Sequence, residues 1–507
     1  MIAAAAAFPQ RPASTAAPLP AWAPLAATLL LALAVAALDP TSFIGGGYDD
    51  WHYLQAARCA AEHGLCVARD HWWSRWPVVL PVGAAIALLG ESRSTLGIVP
   101  GLYAAAALAL FVTLVQRRFG RLEAVLAGLA FAAAPVIGRD LVRLSVDLPE
   151  LAFLLAALFC LDARKRSGGT RWCAGAGLAL ALAIETRATS LVALPLFAAL
   201  LATRAFGRRD RLAFAGALAG LFLLQGAFDL AAAGDALHHW RLQLGHTRLA
   251  SSELPPGPAA SGAPILNVAI ISAWAPAAGV HVHWSVDALL NLLIHPESGA
   301  TLFVALLLLG ANARRIRDPA LRPVLLLAAA AALWFGGLVY GLAVDPKPRM
   351  FEPAIAAAAA TVGMLGARHW RAGERLMPFV FVALLIGWGL VRAYDSFDRR
   401  PVAEAASRQV RALGQPLALE EATARFLALD PLAERLPVYR PGDAARRMLY
   451  VGSGNCRTAA DGDGLIHWRV AREEKFERTD PAPFAALRAR DILLHPLEPP
   501  VVCLLER

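Results

Sequence analysis

The chain has 507 residues, of which 57% are hydrophobic and 17% charged, and its mean hydropathy is +0.50. This composition is too apolar for a soluble protein of this length and predicts a polytopic membrane protein. The net charge of +9 does not indicate a nucleic-acid partner, because the arginines lie in short connections between apolar segments, where they set membrane topology.

The apolar segments predict about eleven transmembrane helices, since about 20 apolar residues cross a hydrocarbon core of ~30 Å. The predicted fold is mainly α, with a membrane helical bundle over residues 21–392 that follows a cytoplasmic N-terminus at residues 1–20. The first apolar run is interpreted as a retained helix rather than a signal peptide. The predicted spans are 21–38, 95–115, 122–137, 148–161, 172–184, 188–203, 212–232, 285–310, 323–343, 353–367 and 377–392.

Basic residues predict the orientation of these helices. One set of short connections is rich in Arg and Lys and is therefore predicted to face the cytoplasm. Its basic residues are Arg117, Arg118, Arg121, Arg164, Lys165, Arg166, Arg171, Arg204, Arg208, Arg209, Arg211, Arg314, Arg315, Arg317, Arg322, Arg368, Arg371 and Arg375. Two long loops, at 39–94 and 233–284, and the C-terminal tail then share the outer compartment.

The first outer loop predicts two helices. Residues 50–63 can form an amphipathic helix that Gly64 would end. Residues 78–89 are apolar but short for a span, and we expect them to lie along the membrane surface.

The tail, residues 393–507, is polar and predicts a small α/β extracytoplasmic domain. It combines strand-like runs at 448–451, 465–470, 492–494 and 501–505 with helical stretches at about 401–413 and 482–490.

Four cysteines fall in the predicted outer compartment, where disulfides can persist. The candidate pairs are Cys59 with Cys66 and Cys456 with Cys503. Within one straight helix the first pair would be too far apart to bridge, so it requires a turn at Gly64.

Two adjacent carboxylates, Asp49 and Asp50, follow the glycines that end the first apolar segment. These glycines allow a sharp turn of the backbone, which would bring the pair of carboxylates to the outer face of the membrane that the helices span. One carboxylate could act there as a general base. The alternative is that one of them caps the following helix and the other is solvated.

Cations and a third carboxylate are predicted to face the same compartment. Arg75 lies in a Trp-rich stretch and could bind a lipid phosphate, or it could snorkel within an aromatic belt. Asp147 lies at the mouth of a span, where a carboxylate is costly unless it is functional or paired, for example with Arg143. Lys347 and Arg349 could clamp a phosphate, or they could be ordinary loop charges.

Histidines around the second outer loop could bind a divalent metal, but their spacing matches no strong zinc signature. The sequence therefore assigns no metal ligand and no cofactor, and it leaves metal dependence open. These histidines are His238, His239, His246, His281 and His283.

Taken in order, these motifs resemble the bacterial GT-C membrane glycosyltransferases, and in particular the group of protein O-mannosyltransferases and lipid A aminoarabinose transferase. Residues 48–53 resemble the acidic pair after the first helix of that family. Residues 75–77 resemble its basic stretch with proline, although the family more often has Lys and two prolines. Asp147 matches an Asp at the start of the fourth helix, and 349–353 resemble a later basic, proline-rich stretch. The resemblance covers about residues 20–392.

The resemblance implies a polyprenyl-phosphate-linked sugar donor and an acceptor that is a glycan such as lipopolysaccharide, a lipid or a protein. It also implies a bacterial inner membrane protein of the cell envelope, with its active site and C-terminus in the periplasm. Phosphate is a good leaving group, so the chemistry needs one base and cations for the departing phosphate.

The roles predicted on this basis belong to a small group of outer residues. Asp49 would be the base and Asp50 would orient it or bind the acceptor, and a single displacement would invert the anomeric carbon. The predicted substrate-binding residues are Tyr48, Arg75, Asp147, Lys347 and Arg349.

The main alternative is a polytopic transporter or lipid flippase. Such a protein is expected to carry charges deep inside its helices and often to have two related halves. Here the charges gather at one surface and no repeat is evident, which favours the transferase. A lipid-linked polysaccharide polymerase or ligase, and an assembly protein with the tail as a partner-binding module, are further alternatives.

Overall fold

A computed structural model describes residues 19–38, 48–141, 143–249, 295–342 without 296 and 316, 348–394 and 400–413, together with 289, 292 and 293. In the tail it describes shorter runs, the longest of which are 445–453, 467–476 and 500–507.

The α-helices of the first half are α1 (Ala23–Leu38), α2 (Tyr48–His63), α3 (Trp76–Leu89), α4 (Arg93–Arg118), α5 (Arg121–Ala132), α6 (Pro135–Asp140), α7 (Asp147–Ser167), α8 (Arg171–Thr186), α9 (Leu194–Leu201), α10 (Arg208–Ala233) and α11 (His238–Leu249). Those of the second half are α12 (Gly299–Ala311), α13 (Arg322–Gly336), α14 (Glu352–Arg371), α15 (Leu376–Tyr394) and α16 (Arg400–Leu413). A 3-10 turn at Ala188–Ala193 precedes α9, and another at Pro348–Phe351 precedes α14.

The predicted fold class, a polytopic helical bundle with a small C-terminal sheet, is confirmed. Several helical segments of the described residues are long and apolar enough to cross a membrane, namely Ser94–Arg118, Arg208–Ala233, Pro319–Gly341, Pro348–Arg371 and Leu376–Tyr394. Shorter apolar helical segments are Ala23–Leu38, Trp76–Leu89, Ala188–Leu201 and Gly299–Ala311. The total of about eleven spans stays a prediction.

Some predicted spans begin or end differently in the structure, and the one predicted at 285–310 is a continuous helix only from Gly299. The span predicted at 122–137 is broken after Ala132, and Pro135 opens the short helix α6, because proline fits the first turn of a helix but not its interior. The span predicted at 188–203 starts as a 3-10 turn before it continues as α9.

Close helix contacts at small residues hold the bundle together. A Cβ atom on Gly363 of α14 would clash with the carbonyl oxygen of Glu123 on α5, and one on Gly177 of α8 would clash with the carbonyl oxygen of Phe214 on α10. Small residues let helix backbones approach in a membrane, where lipid chains are as apolar as the side chains themselves.

Buried ion pairs cross-link the connections that the sequence predicts to be cytoplasmic. Asp162 of α7 lies among Arg117, Arg118 and Arg166, and its side chain is 1% exposed. Arg164 binds Asp210 across the same end of the bundle, with a nitrogen–oxygen distance of 2.8 Å.

The two helices predicted between residues 48 and 89 are present, whereas the position of α3 along the membrane surface stays a prediction. Helix α2 ends at His63, and Gly64 follows in the left-handed conformation with φ of 77°. Cys59 and Cys66 form a disulfide across this turn. Helix α2 packs closely on α3, since a Cβ on Gly83 would approach Ala60 to 2.7 Å.

The described part of the tail contains a mixed sheet of order β1-β2-β4-β3, formed by β1 (Ala418–Leu419), β2 (Arg447–Ser453), β3 (Arg469–Lys475) and β4 (Pro500–Glu506). β1 runs parallel to β2, whereas β2 and β3 both run antiparallel to β4. Cys456 is bonded to Cys503 of β4, and the buried face of α16 belongs to the core of this domain.

Most of the tail predictions that can be compared are confirmed, but the strand predicted at 465–470 is wrong over its first part. The strands predicted at 448–451 and 501–505 and the helix at 401–413 are present, and the run predicted at 465–470 becomes β3 from Arg469. The elements predicted at 492–494 and 482–490 lie outside the described residues.

Candidate active site at the start of helix α2

Asp49 lies in the first turn of α2 and contacts two distant parts of the chain. Its Oδ2 accepts a hydrogen bond from Nη2 of Arg349 at 2.7 Å, although the two residues are 300 positions apart. Its Oδ1 accepts a hydrogen bond from Nε1 of Trp72 at 2.8 Å. The carboxylate therefore joins the first outer loop to the turn before α14 and does more than cap its own helix.

These contacts control the ionisation of Asp49. Burial alone would raise the pKa of this carboxyl, but the charges of Arg349 and Arg75 and the hydrogen bonds from Arg349 and Trp72 lower the pKa to about 2. Asp49 is thus ionised near neutral pH. A carboxylate with so low a pKa is a weak base, and its basicity would rise if its cations were engaged elsewhere.

Arg75 occupies the position just before α3 and faces α2. Its Nη1 donates a hydrogen bond to the hydroxyl oxygen of Tyr53, and its guanidinium carbon lies 5.5 Å from the centre of that ring. Tyr53 is 1% exposed, and its burial raises the pKa of the phenol. Arg75 is therefore fixed beside Asp49 by a buried side chain, which a residue snorkelling freely in an aromatic belt would not be.

Arg349 is the cation that connects the acidic residues of the site. The charges of Asp147, Asp49 and Asp140 all act on its guanidinium. Its side chain is 31% exposed, so part of the guanidinium can be reached by a ligand. The structure thus brings together Asp49, Arg75, Asp147 and Arg349, which the sequence had placed only on one side of the membrane.

Asp147 is paired, but not with the residue that the sequence suggested. At the start of α7 it is 1% exposed and accepts a hydrogen bond from Arg187, the residue that follows α8. Arg187 also lies 3.8 Å from Glu150, which accepts a 2.6 Å hydrogen bond from Ser190. A pairing with Arg187 rather than Arg143 follows from the packing of α7 on α8, with the start of α7 beside the end of α8.

Further charged groups of this region were not assigned to the site from the sequence. Nη1 of Arg139 binds both carboxylate oxygens of Glu297 at 2.7 Å. Glu352, at the start of α14, is completely buried. The signal that could have found them is the presence of ionisable residues at the ends of apolar helices, where charge is costly unless it is paired or functional.

The other three predicted site residues are described only in part. Asp50 is 8% exposed and adjoins Asp49 in the first turn of α2. Tyr48 is the first residue of α2, and its side chain lies outside the described part. Lys347 lies entirely outside the described residues.

The described histidines of the second outer loop have partners other than a metal. His238 bonds through Nε2 to the carbonyl oxygen of Ala68 at 2.9 Å, and His239 lies 3.0 Å from Glu185. The described residues contain no group of three or more His, Cys, Asp or Glu that could hold a metal ion. His281 and His283 lie outside the described residues.

Comparison with known proteins bears on the class of this chain. Residues 77–226, less than half of the sequence, match the family model of dolichyl-phosphate-mannose-protein mannosyltransferases. No curated protein matches the sequence. The chain is similar to the crystal structure of ArnT from Cupriavidus metallidurans bound to undecaprenyl phosphate, with 16% identity and a TM-score of 0.51 over 96% of this chain and 98% of that chain.

Two other solved structures are more distant. The apo state of the same ArnT gives 15% identity and a TM-score of 0.49, over 95% of this chain and 97% of that chain. Archaeal oligosaccharyltransferase AglB from Archaeoglobus fulgidus was solved in complex with an inhibitory peptide and a dolichol-phosphate. It gives 13% identity and a TM-score of 0.46, over 83% of this chain and 62% of that chain. These two values are too low to support an argument.

The chain therefore has the ArnT fold over nearly its whole length, and this likeness concerns the fold alone. Residues 77–226 in addition match the model of one mannosyltransferase family, so a family resemblance and a fold resemblance fall on the same chain.

Proposed function

We propose that this protein moves a sugar from a polyprenyl-phosphate-linked donor to an acceptor hydroxyl group at the periplasmic face of a bacterial inner membrane. The observation that carries the proposal is the hydrogen bond between Asp49 and Arg349, with Arg75 close enough to act on the same carboxylate. A base and two phosphate ligands are the minimum that this chemistry needs. The similar ArnT structure contains undecaprenyl phosphate, which supports a donor of this chemical class.

Binding of the donor would release the base from its cations. Without donor, Arg349 holds Oδ2 of Asp49, and this pairing keeps the carboxylate weakly basic. The donor phosphate is itself an anion and would compete for Arg349 and Arg75. Once these arginines bind the phosphate, the pKa of Asp49 rises and the carboxylate can accept a proton, so that the base is activated only when donor is present.

The reaction then proceeds as a single displacement. The acceptor oxygen attacks the anomeric carbon while the bond from that carbon to the phosphate oxygen breaks. The acceptor proton passes to Oδ2 of Asp49, and polyprenyl phosphate leaves with the bonding electron pair, bound by Arg349 and Arg75. A displacement from the opposite face inverts the configuration of the anomeric carbon.

The other predicted residues would bind or orient substrate. Asp147 would help to position the site, because its charge acts on Arg349 while Arg187 holds it in place. Asp50 would orient Asp49 or bind the acceptor, and Tyr48 would contact substrate beside it. Lys347 would provide a further cation for the phosphate. The acceptor would be a glycan such as lipopolysaccharide, a lipid or a protein.

The test combines a deletion strain with a matched pair of variants. Mass spectrometry of glycolipids and glycans from the deletion strain should show one sugar missing and its lipid-linked donor accumulating. Asp49→Asn should fail to restore that sugar. Asp235→Asn should restore it fully, since Asp235 is also a partly exposed outer-loop carboxylate paired with an arginine, Arg241, at 3.1 Å.

Two outcomes would contradict this proposal. Full transfer by correctly folded Asp49→Asn would remove the base assignment. An unchanged sugar profile combined with loss of a transported solute would replace the transferase by a transporter or flippase.

A further inference from the structure

Stacked rings form one side of the candidate site. The imidazole of His52 stacks on the indole of Trp72, with ring centres 4.2 Å apart and planes inclined by 17°. The ring of His71 also contacts this indole, with centres 3.6 Å apart. The plane of the Trp72 ring is therefore fixed by its neighbours, and the direction of its N–H is fixed with it.

Asp70 holds this arrangement from behind. Its Oδ2 lies 3.0 Å from Nδ1 of His52, and its Oδ1 accepts hydrogen bonds from the backbone N–H groups of Trp72 at 2.9 Å and Trp73 at 3.0 Å. Burial alone would raise the pKa of Asp70, but these hydrogen bonds lower it. One ionised carboxylate thus fixes both the backbone of Trp72 and the ring that stacks on it.

We propose that Trp72 is a positioning residue for Asp49, and that His52 and Asp70 fix the plane of its indole. The inference rests on the proposed function, because positioning matters only if Asp49 accepts a proton. In this arrangement the two oxygens of the Asp49 carboxylate have different roles. Trp72 holds Oδ1 throughout, whereas Oδ2 is bonded to Arg349, the cation for which the donor phosphate competes.

An indole suits this task for chemical reasons. Its N–H is a donor only, so it cannot take the proton that the base must accept. It is also neutral, and it therefore orients the carboxylate without binding the incoming phosphate as a cation would. When Arg349 turns to the phosphate, the bond to Trp72 would keep Oδ2 directed towards the acceptor.

The pKa of Asp49 depends on charged and titratable groups from several surrounding elements. Arg349 approaches from the turn before α14, Arg75 from the start of α3, and the Tyr53 hydroxyl group from within α2. His52 and Asp70 lie behind the indole. Substitution of Trp72 by Phe leaves all these charges in place and removes a single neutral donor.

The experiment measures the pH dependence of kcat for Trp72→Phe. Loss of a hydrogen bond to the ionised form raises the pKa of Asp49, and the base is active only when ionised. The acid limb of the kcat profile should therefore move to higher pH by about one unit. At neutral pH, where Asp49 stays ionised, kcat should fall about tenfold for a separate reason, because Oδ2 is no longer held towards the acceptor. KM for the donor should stay within about twofold, since Trp72 does not bind the phosphate.

Trp73→Phe is the matched control. Trp73 is the next residue in the chain, it is 9% exposed, and its ring lies 4.8 Å from the guanidinium carbon of Arg69 rather than against Asp49. This variant should keep both the wild-type kcat and the wild-type profile. If Trp72→Phe does not fold, 3-benzothienylalanine at position 72 keeps the bicyclic ring and lacks the N–H, and it should show the same shift.

An infrared titration of the Asp49 carboxyl, obtained as the difference between each protein and its Asp49→Asn partner, needs no activity. A raised midpoint in the Trp72 variant with no transferase activity in the wild type would support the positioning and overturn the proposed function. Transfer activity in the wild type with an unmoved acid limb and an unmoved midpoint in the variant would overturn the positioning and leave the proposed function standing.

Discussion

Asp162 and Asp49 are both paired with arginines, but the two pairs have different functions. Asp162 lies among Arg117, Arg118 and Arg166, and its side chain is 1% exposed. Asp49 is hydrogen-bonded to Arg349, and the charge of Arg75 also acts on it. The side chain of Asp49 is 26% exposed and that of Arg349 is 31% exposed. Both carboxylates bind arginine, and they differ chiefly in access.

Access determines whether a pair can change partners. The Asp162 carboxylate is 1% exposed, so we expect its arginines to act as a permanent link between α4 and α7. The pair of Asp49 and Arg349 can be opened by an anion that binds the arginine more tightly than the carboxylate does. The comparison therefore predicts that the first cluster affects stability and the second affects activity.

The largest effect is expected for the cation of the accessible pair. Arg349→Gln should lower kcat about a hundredfold or more, because the departing phosphate loses a charge that stabilises it in the transition state. Steady-state transfer assays with a polyprenyl-phosphate-linked donor would measure the loss. Arg166→Gln, which removes one of several arginines around Asp162, should leave kcat unchanged.

Loss of the enclosed carboxylate should act on stability instead. Asp162→Asn removes the buried carboxylate that binds Arg118, whose side chain is 14% exposed, and should lower the free energy of unfolding by about 3 kcal/mol. Asp318→Asn is the control, since Asp318 binds Arg368 but is 34% exposed, and it should cost less than about 1 kcal/mol. A fall in kcat for folded Asp162→Asn would contradict the division of tasks between the two clusters.

A smaller effect on stability is expected from the outer loop that carries Asp49. Replacement of both Cys59 and Cys66 by Ser removes a disulfide that closes a short loop after α2, and it should lower stability by about 2 kcal/mol. Thermal unfolding of the variant and the wild type, both without reductant so that Cys456–Cys503 stays intact, would measure the change. If the two proteins unfold at the same temperature, the disulfide between Cys59 and Cys66 does not stabilise the loop.

The smallest effect concerns the pH dependence of stability. The folded-state pKa of Asp49 is about 2, below the ordinary value of 3.8, so its contribution to stability is complete above about pH 4 and is lost as the pH falls towards 2. The stability difference between wild type and Asp49→Asn should therefore shrink below pH 4. Because the pair is partly exposed, the difference should not exceed about 1 kcal/mol. A difference that stays constant down to pH 2 would contradict this linkage.

Much of the fold could be predicted because it depends on local pattern. Apolar segments separated by basic connections predict a membrane bundle, and a polar tail with alternating strand and helix patterns predicts a separate sheet. The end of α2 at Gly64 follows from one residue that adopts a positive φ easily. The break between α5 and α6 was missed although its cause is local, because Pro135 fits the first turn of a helix but not its interior.

The candidate site could be predicted in its members but not in its pairings. The order of motifs suggested Asp49, Arg75, Asp147 and Arg349, and topology placed them on one side of the membrane. Nothing local indicates that Asp49 rather than Asp50 bonds to Arg349, since adjacent residues on a helix differ only in direction. The buried hydroxyl of Tyr53 was missed for the same reason.

The sequence by itself determined the class of architecture, the end of α2 and the compartment in which the site residues were expected to meet. Only the tertiary structure decided that Arg349 and the N–H of Trp72 both bond to Asp49. It also decided that Asp147 pairs with Arg187 rather than with Arg143. The physical reason is the distance along the chain between the residues that interact. Hydropathy and helix ends depend on neighbouring residues, whereas a hydrogen bond between residues 300 positions apart depends on how every intervening helix packs and turns.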